Sequence, residues 1–127
     1  MPRLEAVDET YFESAPQRFV RTWSIAQPAE HVWGELVGDK ALHWERGLRL
    51  KWTSPRPFGV GTTRQAKLMG GTITLDEHFF IWEEGRRCAF YATETNAPAF
   101  RSYAEDYVVE AETRRPLLLH VAHRDYA

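Results

Sequence analysis

Read for its apolar positions, the chain falls into two halves with different periods. "QRFVRTWSIA" puts Phe19, Trp23 and Ile25 on one parity, the signature of a half-buried strand, with Arg21 interrupting that face. "QPAEHVWGELVG" follows, and there Val32, Trp33, Leu36 and Val37 recur at helical spacing. Pro28 suits the first turn, Glu30 its positive end, and Gly38 the stop. A second short helix is expected over "DKALHWERG", with Asp39 as cap and Gly47 as terminator. Beyond it the period changes to two. "LRLKW" alternates cleanly, "TTRQAKL" groups Arg64, Ala66 and Leu68, and "TITLDEHFFIW" groups Ile73, Leu75, Glu77, Phe79 and Ile81. "RCAFYAT" and "FRSYAEDYVVEA" complete the run of strands. Turns this short imply antiparallel neighbours, because parallel strands need long crossovers. "SPRPFGVG" is one such connection, its prolines removing donors and its glycines permitting a sharp corner.

The flanks carry less pattern. Residues 1–16 hold Asp8, Glu9, Glu13 and Pro16 without a period and are expected to form an extended lead-in to a single domain over 17–127. In the tail, "PLLLHV" allows one strand or about two turns of helix.

The sequence "FESAPQRFVRTWSIAQPAEHVWGELV", then "HWERGLRLKWTSPRPFGVGTTRQAKL" and "ITLDEHFFIWEEGRRCAFY", resembles the SRPBCC superfamily. These are the START-like helix-grip proteins, and the polyketide cyclase/dehydrase-like branch is the nearest in pattern. The resemblance implies an α+β fold in which a curved antiparallel sheet grips a long C-terminal helix around a cavity for a lipid, a polyketide or another hydrophobic small molecule. After "EDYVVEA" the family pattern adds a turn, a strand and a helix of several turns, where "ETRRPLLLHVAHRDYA" stands here. The long helix is accordingly expected to be missing or truncated. A sheet left open would expose an apolar face, so a homodimer closing over it is a further expectation.

Composition narrows the partners. With 127 residues, 43% of them hydrophobic, the chain suits one core, and a formal net charge of −2 offers no field for nucleic acid. Cys88 is the single cysteine, and no apolar run has the length of a signal peptide or a membrane span, which leads to the expectation of a cytoplasmic protein. No phosphate loop, nucleophile elbow or zinc pattern is present, and neither a cofactor nor a metal is expected. His120 and His123, three apart, lack a third ligand.

Parity assigns Trp23, Leu50, Trp52, Leu68, Leu75 and Phe79 to one concave lining, with Trp44, Tyr103 and Tyr107 as further ligand contacts. Arg64 and Glu77 share parities with apolar neighbours. Either they meet in the cavity, where they would orient an acidic or enolic ligand, or a bulge turns them outward as a solvated pair. Glu105 lies between Tyr103 and Tyr107 on one parity, a polar anchor if inward and part of a surface row if outward. His43 is a candidate proton carrier at the cavity mouth, or else a solvent-facing residue at a helix end. His78, opposite in parity to Glu77, is expected to be exposed. The readings that follow are hydrophobic-ligand binding, an aromatase/cyclase-type enzyme using His43, Arg64, Glu77 or Glu105, and an interaction subunit.

Overall fold

The structure is a computed structural model that describes residues 3–15, 18–39, 47–97, 102–110 and 118–123, of which 19–24 and 118–123 are described as backbone only. Helix α1 spans Tyr11–Ser14, strand β1 Phe19–Ser24 and helix α2 Ala29–Val37. Strands β2 (Arg49–Trp52), β3 (Thr63–Leu68), β4 (Ile73–Glu83), β5 (Arg87–Thr95), β6 (Ala104–Glu110) and β7 (Leu118–His123) follow. They form one curled, wholly antiparallel sheet of seven strands in the order β1-β7-β6-β5-β4-β3-β2. From β2 to β7 the chain meanders, each strand pairing with the next. β1 then pairs with β7, in the register Trp23 to Leu119, and so becomes the edge opposite β2. The strand alternative for the tail is therefore the one realised over 118–123, and helical spacing does not apply to His120 and His123. The helix expected over 39–47 falls largely outside the described residues.

Helix α2 starts at Pro28, whose carbonyl accepts from the amides of His31 (3.0 Å) and Val32 (3.2 Å). It buries Val32, Trp33, Leu36 and Val37 against Phe79, Cys88, Phe90, Tyr107 and Val109 of the sheet. Two carbonyls at its end accept from β2 and from the β2–β3 connection. Trp52 Nε1 donates to the Gly38 carbonyl at 2.9 Å and Arg56 Nη2 to the Val37 carbonyl at 3.0 Å. The corner at "SPRPFGVG" thus carries a cation back to the negative end of the helix. Gly38 is required there, since a Cβ would stand 2.7 Å from the Gly34 carbonyl oxygen.

The side of the sheet covered by α2 is called the inner face. Its opposite is covered by the N-terminal segment, which is more built than an extended lead-in. Phe12 of α1 is buried, stacks on Phe80 (5.9 Å between centroids) and packs on Ala89 and Ala104. The amide of Leu4 donates to the Thr93 carbonyl at 2.9 Å, and Arg87 bridges Asp106 and Glu9, at 2.8 Å each. Four helical residues hold too little periodicity to be read in advance.

β4 departs from simple alternation. Its pairing with β5 slips between Asp76 and Glu77 and again between Phe79 and Ile81. The first extra residue, Thr93, lies on β5; the second, Phe80, lies on β4 and resets its period of two. Ile81, expected beside Phe79, consequently joins the outer cluster with Phe12, and Trp82 takes the inner position.

Candidate functional site

The register aligns inner-face residues in rows across the strands. Trp52 of β2 pairs with Arg64 of β3, Arg64 with Glu77 of β4, and Glu77 with Ala92 of β5. In the next row Phe79 pairs with Phe90, and Phe90 with Glu105 of β6; in the third, Trp82 pairs with Cys88, and Cys88 with Tyr107. At the far end, Leu50, Ala66 and Leu75 form a row of their own and pack with Ala92, Leu68 and Tyr103.

At the centre, Arg64 Nε donates to Glu77 Oε1 at 2.6 Å, with both side chains only 3% exposed. The guanidinium carbon lies 5.2 Å from the Trp52 ring centroid and 5.1 Å from those of Phe79 and Phe90, so three aromatic faces stabilise the cation. Among the described residues, neither terminal nitrogen of Arg64 has a hydrogen-bond acceptor. Buried donors are ordinarily paired, and a guanidinium presents five of them.

Burial is the largest influence on Arg64 and works against its charge, but the charge and hydrogen bond of Glu77, together with the neighbouring Tyr107 and Glu105, outweigh it, and the guanidinium stays firmly protonated. For Glu77, burial is the largest influence and raises its pKa to about 7, against the opposing pull of Arg64. The charge of Glu105 pushes it the same way as burial does. Glu105 is half-buried and takes one bond on each oxygen, from the Tyr103 hydroxyl at 2.8 Å and the Tyr107 hydroxyl at 2.5 Å. Burial first, and the neighbouring Glu105 carboxylate second, hold both phenols well above their ordinary pKa, so they remain donors. Burial likewise pushes the Cys88 thiol up to about 12.

Of the residues singled out from sequence, Leu50, Trp52, Arg64, Leu68, Leu75, Glu77, Phe79, Tyr103, Glu105 and Tyr107 all belong to these inner-face rows and clusters. Trp23 is in register with Leu119, itself paired with Val109. His43 and Trp44 lie outside the described residues. His78, expected to be exposed, is half-buried on the outer face, its ring 5.2 Å from that of Tyr91, because the cross-strand tyrosine covers it.

Three contributors escaped the sequence reading. Phe90 shares its parity with Cys88 and Ala92, a signal that was available. Trp82 is hidden by the bulge. Phe58, in a connection without period, stacks on Trp52 at 4.3 Å and carries Arg56 on its own face at 4.2 Å. Among the described residues, no three His, Cys, Asp or Glu side chains gather as a metal site, and no helix is long and apolar enough to cross a membrane.

No family model matches the chain. It is 39% identical over 111 residues to the uncharacterized proteins Rv2574 of Mycobacterium tuberculosis and Mb2604 of Mycobacterium bovis. The match takes in 84% of this chain but 65% of each relative, so the chain spans about two thirds of their length. Among solved structures, a START superfamily protein from Mycobacterium smegmatis superposes with a TM-score of 0.69 at 11% identity, over 84% of this chain and 74% of that one. The major latex-like protein 151 of Panax ginseng gives 0.69 at 13%, over 87% and 79%. DynU16, from the dynemicin biosynthetic locus, gives 0.66 at 13%, over 85% and 37%. Identities this low speak for the fold alone. With the curled antiparallel sheet and its short helices, they establish that this chain has an α+β helix-grip, START-like fold.

Proposed function

We propose that the chain binds a hydrophobic small molecule on its inner face and holds an oxygen of that ligand with the terminal nitrogens of Arg64. The observation that carries this reading is a buried guanidinium, ringed by Trp52, Phe79 and Phe90 and, among the described residues, hydrogen-bonded through Nε alone. A purely structural ion pair would gain nothing from leaving its remaining donors unmatched in an apolar setting. The rows of aromatic and aliphatic side chains supply the apolar lining such sites use, and the polar groups supply orientation. Lipid-like and polyketide-like molecules are both within this class.

The test is titration with naphthyl methyl ketone, an apolar probe with one acceptor oxygen, followed by quenching of tryptophan emission. Binding in the micromolar range that weakens by about tenfold or more in Arg64→Met is the expected result, the loss of one hydrogen bond to a charged donor. Equal affinity in a folded Arg64→Met protein would refute the reading.

A second reading is an enzyme of the aromatase/cyclase kind. Glu77, with its pKa raised to about 7 beside a permanent cation, matches what proton transfer at neutral pH requires. Turnover of a poly-ketone, lost in Glu77→Gln while the ketone still binds, would separate catalysis from binding. Dimerisation over the half-buried Leu48, Leu50 and Leu68 end of the same face is the third, and light scattering with and without the probe decides it.

A further inference from the structure

The inner face holds a second polar group that the Arg64 contact does not use. Glu105 sits one strand beyond Phe90, its register partner, while Arg64 lies over the Phe90 ring from the other side. The Phe90 ring is 6.4 Å from those of Tyr103 and Tyr107, whose hydroxyls anchor the two Glu105 oxygens. A carboxylate oxygen with one bond still has accepting capacity, so Glu105 is fixed in place yet able to take a further donor. Among the described residues, the charged groups within these inner-face rows are Arg64 from β3, Glu77 from β4 and Glu105 from β6. The thiol of Cys88 on β5 and the phenols of Tyr103 and Tyr107 are neutral. With both carboxylates ionised the set is net negative, and with Glu77 protonated it is neutral. In neither state does an added anion find an uncompensated cation among the described residues of these rows, and burying an unmatched charge is costly.

From this arrangement we infer that the ligand is an uncharged molecule that offers an acceptor oxygen to Arg64 at one end and a hydroxyl to the half-buried Glu105 at the other. The inference rests on the proposed contact between Arg64 and the ligand and narrows it. An acid is rejected by the charge already present, and a molecule without the hydroxyl leaves half of the polar constellation unused.

Three probes on one skeleton test it: a naphthyl methyl ketone with a hydroxyl at the far end of the ring system, the same ketone without the hydroxyl, and the hydroxynaphthoate carrying a carboxylate in place of the ketone. On the unaltered protein at neutral pH, the hydroxy ketone is expected to bind about tenfold tighter than the plain ketone, the equivalent of one charge-assisted hydrogen bond, and also tighter than the hydroxynaphthoate. In Glu105→Leu the two ketones are expected to bind with equal affinity, so the advantage of the hydroxyl is lost. Equal affinity of the two ketones for the unaltered protein would overturn the inference, as would a hydroxynaphthoate that binds as tightly as the hydroxy ketone. Neither result would touch the Arg64 contact, provided that the ketones still depend on Arg64. If no probe depends on Arg64, the proposed site falls and this inference falls with it.

Discussion

Replacing Arg64 by Met should destabilise the protein by an amount that grows with pH. The size and sign follow from the pair at the centre of the inner face. Glu77 moves from 4.5 to about 7 on folding, chiefly through burial, so its folded form holds the proton more tightly than its unfolded form. Where the folded state binds more protons, stability falls as pH rises. The Glu77 contribution is therefore absent below about pH 4.5, unfavourable through the interval up to about 7, and constant above it, about 3 kcal/mol for a shift of this size. Arg64 opposes that shift. Without it the carboxyl rises further, and the variant pays more for every pH unit through which Glu77 must either ionise alone or keep its proton. Near pH 5.5 the carboxyl is neutral and the loss is mainly the contact of the cation with three rings, about 1–2 kcal/mol. At about pH 8.5 it approaches the 3–5 kcal/mol typical of a buried pair broken on one side. Urea denaturation of both proteins at the two pH values measures the difference. A loss that is the same at both, or none at either, would refute the reasoning, because it would mean that Glu77 does not feel Arg64 in a water-poor setting.

Leu50→Arg should abolish micromolar binding of the ketone probe without unfolding the protein, because it sets a charge against Ala66, Leu75 and Ala92 at the apolar end of the face; unchanged tryptophan quenching would exclude that lining. Gly38→Ala should lower stability by about 1–3 kcal/mol, since its Cβ would stand 2.7 Å from the Gly34 carbonyl, and thermal melting reads this directly. Cys88, buried and pushed up to about 12, should resist a thiol reagent at neutral pH in the native protein and react at once in urea.

What could be read from the sequence was whatever depends on local period. Alternation grouped Arg64 with Ala66, and Glu77 with Leu75 and Phe79, and the structure places all five on one face. The spacing of Val32, Trp33, Leu36 and Val37 likewise gave α2 and its buried side. Where an extra residue breaks the period, the reading fails with it, as for Ile81 and Trp82. Contacts between distant segments leave no periodic trace. The pairing of β1 with β7, the return of Arg56 and Phe58 to α2 and Trp52, and the seat of Phe12 on the outer face all belong to that kind. His78 shows the same limit at the scale of one residue, for its cover comes from Tyr91 on the next strand.

The central claim is that the terminal nitrogens of Arg64 receive an oxygen from the ligand. A crystal structure of the protein with naphthyl methyl ketone addresses it most directly. The account predicts the ketone oxygen within hydrogen-bond distance of an Arg64 terminal nitrogen, with the Arg64–Glu77 bond retained. A probe seated on the inner face with its oxygen turned to solvent, or seated elsewhere while Arg64 keeps its present surroundings, would contradict it.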